Sequence, residues 1–135
     1  MNEIYTKLKE FGRVKANEPL SKHTTYKIGG PARYFVLIED IDKLAGLLDY
    51  LQSEGFDYLV LGGGSNLLMP DNGFDGVIIK IVSRSCTAEN NIITADAGAQ
   101  LSQLVILSTQ NGLAGMEWAV GIPGTVGGGI SGNAG

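Results

Sequence analysis

Short apolar runs of strand length alternate with amphipathic segments in this 135-residue chain, and this alternation constrains the fold more than any other feature. Residues 34–38, 57–61 and 77–81 are rich in β-branched, aromatic and other apolar side chains, which is typical of buried strands. Between the first two runs, apolar residues recur at helical spacing: Ile41, Leu44, Leu48 and Leu51. The order predicts a mixed α/β fold with crossover units, arranged in small layers.

Capping residues set the expected ends of the helices. Asp40 precedes the first amphipathic pattern as a good N-cap, and Gly55 follows it at the C′ position. Another strand is expected from about Asn91. A second helix is expected over residues 101–111, begun by Ser102 or a neighbour and closed by Gly112.

Three parts of the chain are distinguished by their patterns. Residues 1–19 are expected to form an N-terminal helical segment, because Ile4, Leu8 and Phe11 are spaced helically. Residues 20–83 and 84–135 are expected to form two subdomains, separated near a polar stretch without periodicity at 83–90.

Composition excludes several classes of function. No apolar run approaches the roughly 18 residues that a membrane helix requires, and no secretory leader is recognised, so a cytoplasmic protein without a membrane partner is expected. The net charge of −4 argues against nucleic-acid binding, which needs a basic surface. Cys86 is the single cysteine and His23 is the single histidine, so neither an intrachain disulfide nor a metal site is expected.

The first glycine cluster, LGGGSNLL at residues 61–68, follows a predicted strand. It lacks the Gly-Lys-Ser/Thr of a P-loop, and Leu67 occupies the third glycine position of a dinucleotide-binding turn, where Pro70 also disfavours a helix. Glycines allow backbone N–H groups to converge on an anion, and Ser65 and Asn66 add side-chain donors. A ligand loop is favoured over the alternative of a plain tight turn.

The segment GIPGTVGGGISGNAG, residues 121–135, is denser still in glycine. From residue 97 onward the sole charged side chain is Glu117, whereas a solvated surface normally carries both signs of charge. Pro123 stiffens the segment, and Ile122, Val126 and Ile130 interrupt it with apolar side chains. The segment is therefore expected to face a cofactor or further polypeptide, the alternative being a flexible linker.

A third cluster, HTTYKIGGPAR at residues 23–33, places His23 and Tyr26 near a Gly-Gly-Pro turn. His23 has no partner nucleophile in view, so it is interpreted as a surface or hydrogen-bonded residue rather than a catalytic base. The residues Gly29, Gly30 and Pro31 are most simply a turn before the strand at Tyr34.

Taken together, the order and spacing of these three clusters resemble the UDP-N-acetylenolpyruvoylglucosamine reductase family, also called UDP-N-acetylmuramate dehydrogenase. The resemblance extends from about Leu20 to the end of the chain, and the most diagnostic motif is GLAGMEWAVGIPGTVGGGISGNAG. It implies an FAD-binding fold of the PCMH type, built from two α/β subdomains of which the second is incomplete in this chain. FAD would be bound without a covalent link, so His23 would not be a flavin attachment site.

The resemblance also implies which residues contact the cofactor. Residues 62–66 would bind the pyrophosphate, and residues 121–129 with Asn133 would supply further contacts. The cofactor-binding residues expected in full are Tyr26, Gly62, Gly63, Gly64, Ser65, Asn66, Leu67, Gly121, Ile122, Gly124, Thr125, Gly128, Gly129 and Asn133. Because neither loop contains Lys or Arg, backbone amides with Ser65, Asn66 and Thr125 would hold the anion.

The family reaction uses NADPH and a UDP-sugar substrate in peptidoglycan synthesis. Its catalytic arginine belongs to a Tyr-Arg-x-Ser segment, which does not occur in this sequence, and its serine and glutamate lie in a C-terminal domain. The chain is accordingly expected to be a fragment that is inactive alone and prone to self-association, with no catalytic or metal-binding residue of its own. Two alternatives are another FAD-dependent oxidoreductase of the same fold and a non-catalytic nucleotide-binding module.

Overall fold

The computed structural model describes residues 2–134, and the chain divides within it into two compact units, residues 1–82 and residues 83–135. Each unit is described separately. Among the described residues, no helix is long and apolar enough to cross a membrane.

Unit 1 is built on a sheet whose described strands are β1 (Arg13–Pro19), β2 (Pro31–Ile38), β3 (Tyr58–Leu61) and β4 (Phe74–Ile81). Their order in the sheet is β1-β2-β4-β3, with β2, β4 and β3 parallel and β1 antiparallel to β2. The connection from β2 to β3 contains helix α2 (Leu44–Ser53), so the predicted strand–helix–strand crossover is confirmed.

The helices of unit 1 begin and end largely as the capping pattern predicts. Asp40 accepts a hydrogen bond from the backbone N–H of Asp42 at 3.1 Å and starts a 3-10 turn, Ile41–Lys43, that leads into α2. Gly55 follows α2 with φ of +70°, the left-handed conformation of a C′ glycine. Helix α1 (Glu3–Leu8) lies near the start of the chain.

Both faces of the sheet are covered by apolar side chains, which explains why β2 and β4 are nearly continuous apolar runs. One cluster packs the helices against one face and has these buried members: Ile4, Leu8, Tyr34, Val36, Ile38, Leu47, Leu51, Val77 and Ile79. The other cluster, here called the loop-side core, consists of Leu20, Ala32, Phe35, Leu61, Met69 and Ile78. The most deeply buried residues of α2 are Leu47 and Leu51, so the buried stripe includes one position, Leu47, beyond those expected.

Unit 2 begins with a hairpin of β5 (Cys86–Glu89) and β6 (Ile92–Ala95), which are antiparallel. Asn90 in the turn has φ of +54°. Helix α3 (Leu101–Gln110) follows and is closed by Gly112 at φ of +66°, as predicted. A 3-10 helix, Glu117–Ala119, and helix α4 (Val126–Ser131) complete the regular structure among the described residues of this unit.

The structure corrects one of the expected boundaries, confirms another and excludes one alternative. The N-terminal part is helical only over Glu3–Leu8, because residues 13–19 form β1. Helix α3 starts at Leu101, as expected, and the side chain of Gln103 accepts a hydrogen bond from the backbone N–H of the N-cap residue Gln100 at 2.8 Å. The terminal glycine segment is not a flexible linker, since residues 126–131 form α4.

Candidate functional site: two glycine loops

The first glycine loop, residues 62–66, starts directly at the carboxyl end of the parallel strand β3. Ligands of open α/β sheets commonly bind outside the carboxyl ends of the strands. The loop is anchored on both sides by the loop-side core, because Leu61 precedes it and Met69 follows it, and both are buried. The sheet and the loop-side core therefore fix both ends of the loop, while Gly63 and Asn66 within it are exposed.

Gly64 shows why this loop requires glycine. Its φ is +74°, and a Cβ built on it would lie 2.0 Å from the carbonyl oxygen of His23. The backbone N–H of Thr25 donates to the carbonyl of Gly64 at 3.0 Å. This contact brings the first and third sequence clusters together, which the sequence did not predict.

The Gly-Gly-Pro segment is packed as closely. The backbone N–H of Gly30 donates to the carbonyl of Pro70 at 2.9 Å, and the N–H of Leu20 donates to the carbonyl of Gly30 at 3.0 Å. A Cβ on Gly30 would lie 2.1 Å from the carbonyl oxygen of Asp71. The expected turn at residues 29–31 is therefore wrong, because the chain turns at residues 25–26 and Pro31 is already the first residue of β2. The segment instead connects the start of that strand to the chain that follows the glycine loop.

Hydrogen-bond donors remain available at the first loop. Among residues 2–134, the backbone N–H groups of residues 63–66 donate to no other backbone group, and the side chains of Ser65 and Asn66 make no hydrogen bond to the protein. Gly63 and Asn66 are exposed, whereas Gly64 is buried. Successive donors of this kind form a nest that suits an anion.

Tyr26 lies one residue from the backbone that contacts Gly64, and its side chain is 60% exposed. The turn that carries it is closed by the hydroxyl of Thr24, which donates to the carbonyl of Ile28 at 3.1 Å. The structure thus places Tyr26 on the same turn as a main-chain partner of the glycine loop. Leu67 is half-buried and packs against the loop-side core.

In unit 2, the terminal glycine segment is tied by its backbone to the start of α3. The N–H of Leu101 donates to the carbonyl of Gly124 at 3.0 Å, and the N–H of Val126 donates to the carbonyl of Ala99 at 2.8 Å. A further bond joins the N–H of Gly127 to the carbonyl of Ala97 at 2.9 Å. These contacts hold the segment in one conformation without using any charged side chain.

Thr125 has a structural role that the sequence did not indicate. Its side chain is buried, and Oγ1 accepts a hydrogen bond from the N–H of Gly128 at 3.2 Å as the N-cap of α4. Gly128, Gly129 and Asn133 lie on or directly after this helix, and Asn133 has φ of +49°. A Cβ on Gly129 would lie 3.2 Å from a methyl carbon of Leu101, so this glycine permits close packing on α3.

An apolar cavity of about 340 Å³ lies beside the terminal segment within unit 2. Its lining includes three of the expected cofactor residues, Gly121, Ile122 and Gly124, together with Val105 and Ile106 of α3. Gly121 and Gly124 have φ of +77° and +116°, so backbone conformations that favour glycine shape this wall. The nearby carboxylate of Glu117 accepts a hydrogen bond from the N–H of Gly115 at 2.9 Å.

Two reactive side chains outside the loops have local explanations. His23 is hydrogen-bonded to Glu18 and stacked on Phe35, in line with the interpretation as a hydrogen-bonded histidine. Cys86 is half-buried in β5, and burial raises the pKa of its thiol, so the less reactive thiol form is favoured.

Residues 31–135 match the family described as FAD binding domain, and the chain belongs to this family. It is 43% identical to UDP-N-acetylenolpyruvoylglucosamine reductase of Caldanaerobacter subterraneus subsp. tengcongensis, over 98% of this chain and 45% of the relative. It is 40% identical to the enzyme of the same name from Bacillus subtilis, over 100% of this chain and 46% of the relative. The chain thus spans less than half the length of these relatives.

Among solved structures, the crystal structure of UDP-N-acetylenolpyruvylglucosamine reductase from Thermus caldophilus matches with a TM-score of 0.70 and 33% identity. The match covers 89% of this chain and 42% of that one. These findings confirm the resemblance drawn from the three motifs, the mixed α/β FAD-binding fold of the PCMH type in partial form, and FAD as the cofactor of the family.

Proposed function

We propose that this chain is the FAD-binding portion of a UDP-N-acetylenolpyruvoylglucosamine reductase, in which residues 62–66 bind the pyrophosphate of FAD. The observation that carries the proposal is the run of backbone N–H groups at residues 63–66, which donate to no other backbone group among residues 2–134. The close approach of Gly64 to the carbonyl oxygen of His23 fixes the centre of this run, and a residue with a Cβ could not approach so closely.

The residues of the loop fit a diphosphate. Residues 62–66 contain no acidic side chain that would repel an anion, and no Lys or Arg that would bind it by charge alone. Main-chain N–H groups, Ser65 and Asn66 would therefore supply the hydrogen bonds. Tyr26 lies on the adjoining turn with an exposed ring that can pack against a planar part of the cofactor.

The terminal segment would supply the second set of cofactor contacts. The cavity lined by Gly121, Ile122 and Gly124 is apolar and carries no charged side chain among its lining residues, which suits a flat and largely uncharged ring system. Thr125, Gly128, Gly129 and Asn133 would contribute mainly by fixing the backbone of this segment.

The proposed activity belongs to a protein of the relatives' length. When bound, the flavin supplies hydride transfer between NADPH and the enolpyruvyl group of the UDP-sugar, in the peptidoglycan pathway of the cytoplasm. The role of this chain is to bind and orient the cofactor. Polypeptide outside this sequence supplies the catalytic side chains and the UDP-sugar contacts. Self-association of the chain is supported by exposed apolar side chains of unit 2, namely Ile106, Trp118, Val120 and Ile130.

Flavin titration tests the proposal. FAD is added to the purified 135-residue chain, and binding is followed by the change in flavin fluorescence and visible absorbance. FMN, which lacks the diphosphate bridge to adenosine, is the matched control ligand. Binding of FAD but not FMN supports diphosphate recognition, whereas equal affinity for both would contradict it.

An activity assay separates the reductase from the alternatives. A chain of the relatives' length is incubated with UDP-N-acetylenolpyruvoylglucosamine and NADPH, and NADPH consumption is measured. Consumption that depends on this substrate supports the reductase. A yellow protein that oxidises NADPH only with another substrate would indicate a different FAD-dependent oxidoreductase, and a protein that binds ADP without flavin would indicate a non-catalytic nucleotide-binding module.

A further inference from the structure

A hydrogen-bonded group of Glu18, His23 and the half-exposed Lys15 adjoins the backbone that contacts the first glycine loop. Glu18 of β1 is buried, and its Oε1 accepts hydrogen bonds from Nε2 of His23 at 3.0 Å and from Nζ of Lys15 at 3.1 Å. The side chain of His23 is only 14% exposed. A carboxylate removed from water needs such partners, and the bond between Glu18 and His23 restricts where the imidazole can lie.

The ring of His23 is fixed from a second direction by the loop-side core. It stacks on Phe35, with ring centroids 4.2 Å apart and planes inclined by 24°. Phe35 is fully buried in β2, the strand next to β1. A hydrogen bond in one direction and a ring contact in another leave the imidazole little freedom to turn.

The main chain of the same residue contacts the glycine loop. The carbonyl oxygen of His23 is the atom that a Cβ on Gly64 would approach to 2.0 Å, and Cα of Thr24 would lie 3.0 Å away. The N–H of Thr25 donates to the carbonyl of Gly64 at 3.0 Å. A shift of the His23 backbone would therefore move the support of the loop directly.

We propose that His23 is a positioning residue for the phosphate-binding loop, acting through its carbonyl oxygen and the adjoining Thr25 N–H while Glu18 and Phe35 hold its ring. This inference rests on the proposed function, because the loop is taken to bind FAD. His23 touches no reacting atom in this scheme, and it differs in this respect from a catalytic base. The hydrogen bond from His23 also lowers the pKa of Glu18, which keeps the carboxylate ionised.

The test compares variants of the 135-residue chain by FAD titration and by amide hydrogen exchange. His23→Ala removes both ring contacts and is expected to raise the Kd for FAD about tenfold or more. His23→Gln keeps a side-chain N–H that can reach Glu18, so it is expected to restore most of the affinity. Glu18→Gln removes the negative charge that holds the ring of His23 while keeping the size of the side chain. It replaces His23→Ala as the test variant if His23→Ala does not fold.

Ile4→Val is the control for a purely structural effect. Ile4 is buried in the cluster on the other face of the sheet, so this change lowers stability without touching the loop. The control is expected to leave the Kd for FAD unchanged. If Ile4→Val weakens binding as much as His23→Ala, or if His23→Ala binds FAD as the wild type does, the inference is wrong.

Amide exchange of Thr25 separates this inference from the proposed function. Its N–H bonds to the loop, so exchange is expected to accelerate in His23→Ala and to remain slow in His23→Gln and Ile4→Val. If the wild type binds no FAD but Thr25 behaves in this way, the proposed function fails and the positioning role stands. If FAD binds but exchange at Thr25 is unaffected in every variant, the positioning role fails.

Discussion

The replacement of Gly64 by alanine tests the main-chain basis of the first loop most directly. The residue has φ of +74°, and left-handed backbone costs an L-residue about 1–2 kcal/mol. The new Cβ would also lie 2.0 Å from the carbonyl oxygen of His23, a separation that real Cβ atoms do not show. The loop must therefore move, and the bond from Thr25 N–H to Gly64 is lost at a net cost of about 1 kcal/mol.

These contributions give an expected destabilisation of unit 1 of about 2–3 kcal/mol for Gly64→Ala. Gly55→Ala is a close control, because Gly55 has φ of +70° and no heavy atom within 4 Å of the added Cβ. Gly55→Ala introduces the strain of left-handed backbone without a steric collision, so it is expected to lower the unfolding free energy by about 1–2 kcal/mol. The difference between the two variants therefore measures the collision with His23 together with the loss of the hydrogen bond from Thr25.

Two assays measure the changes in stability and in FAD affinity. Native-state amide exchange of β4 reports the unfolding free energy of unit 1 separately from that of unit 2. Flavin titration reports the loop, and Gly64→Ala is expected to raise the Kd for FAD about tenfold or more while Gly55→Ala leaves it unchanged. Equal effects of the two alanines on both stability and affinity would refute the role assigned to Gly64.

Three further outcomes are expected. Thr125→Ala removes the N-cap of α4 and should cost about 1 kcal/mol, seen as faster exchange of the Gly128 amide, while Thr125→Ser should retain the cap. The hydrogen bond from His23 lowers the pKa of Glu18 in the folded chain. The ionised carboxylate therefore stabilises unit 1 above its ordinary pKa of 4.5, and this stabilisation is lost as the pH falls through the lowered pKa of the folded chain. Glu18→Gln should flatten this acid dependence of the unfolding free energy in urea titrations. Neither glycine loop contains Lys or Arg, so the Kd for FAD should change less than about threefold between 50 and 500 mM NaCl.

The sequence predicted those parts of the fold whose stability comes from apolar side chains. Strands β2, β3, β4 and β6 and helices α2 and α3 all have apolar periods or runs. Strand β1 was not predicted because it lies at the sheet edge, where the residues RVKANEP are mostly exposed and hydrogen-bond on one side to β2. Strand β5, with the sequence CTAE, likewise forms by pairing with β6 and has no apolar run.

Helix α4 could not be predicted from propensity. Its sequence VGGGIS contains three glycines, each of which destabilises a helix by about 1 kcal/mol relative to alanine. Its stabilising contacts are the Thr125 cap and the backbone bonds that hold residues 124–127 against the start of α3. These are tertiary contacts, and a local pattern carries no information about them.

The candidate site shows the same division between local and tertiary information. Three consecutive glycines after a strand identify a loop that needs unusual backbone conformations or close neighbours. The sequence does not say which neighbour excludes the side chain at Gly64, because His23 is 41 residues away and the contact is made by its carbonyl oxygen. His23 itself was assigned a local role, and its backbone contact became visible only in the structure.

A loop that is proposed to bind a diphosphate without cationic side chains must obtain its affinity from the arrangement of its backbone dipoles. If the N–H groups of residues 63–66 were free to turn, ordering them on binding would offset much of the hydrogen-bond energy, since fixing one residue's backbone costs about 1–2 kcal/mol. In this chain much of that ordering precedes binding. Leu61 and Met69 fix the ends of the loop in the loop-side core, and Gly64 is fixed at its centre by His23 and Thr25. The contacts that exclude a side chain at Gly64 are therefore the same contacts that favour anion binding, so substitutions that loosen them should weaken FAD binding even where the protein remains folded.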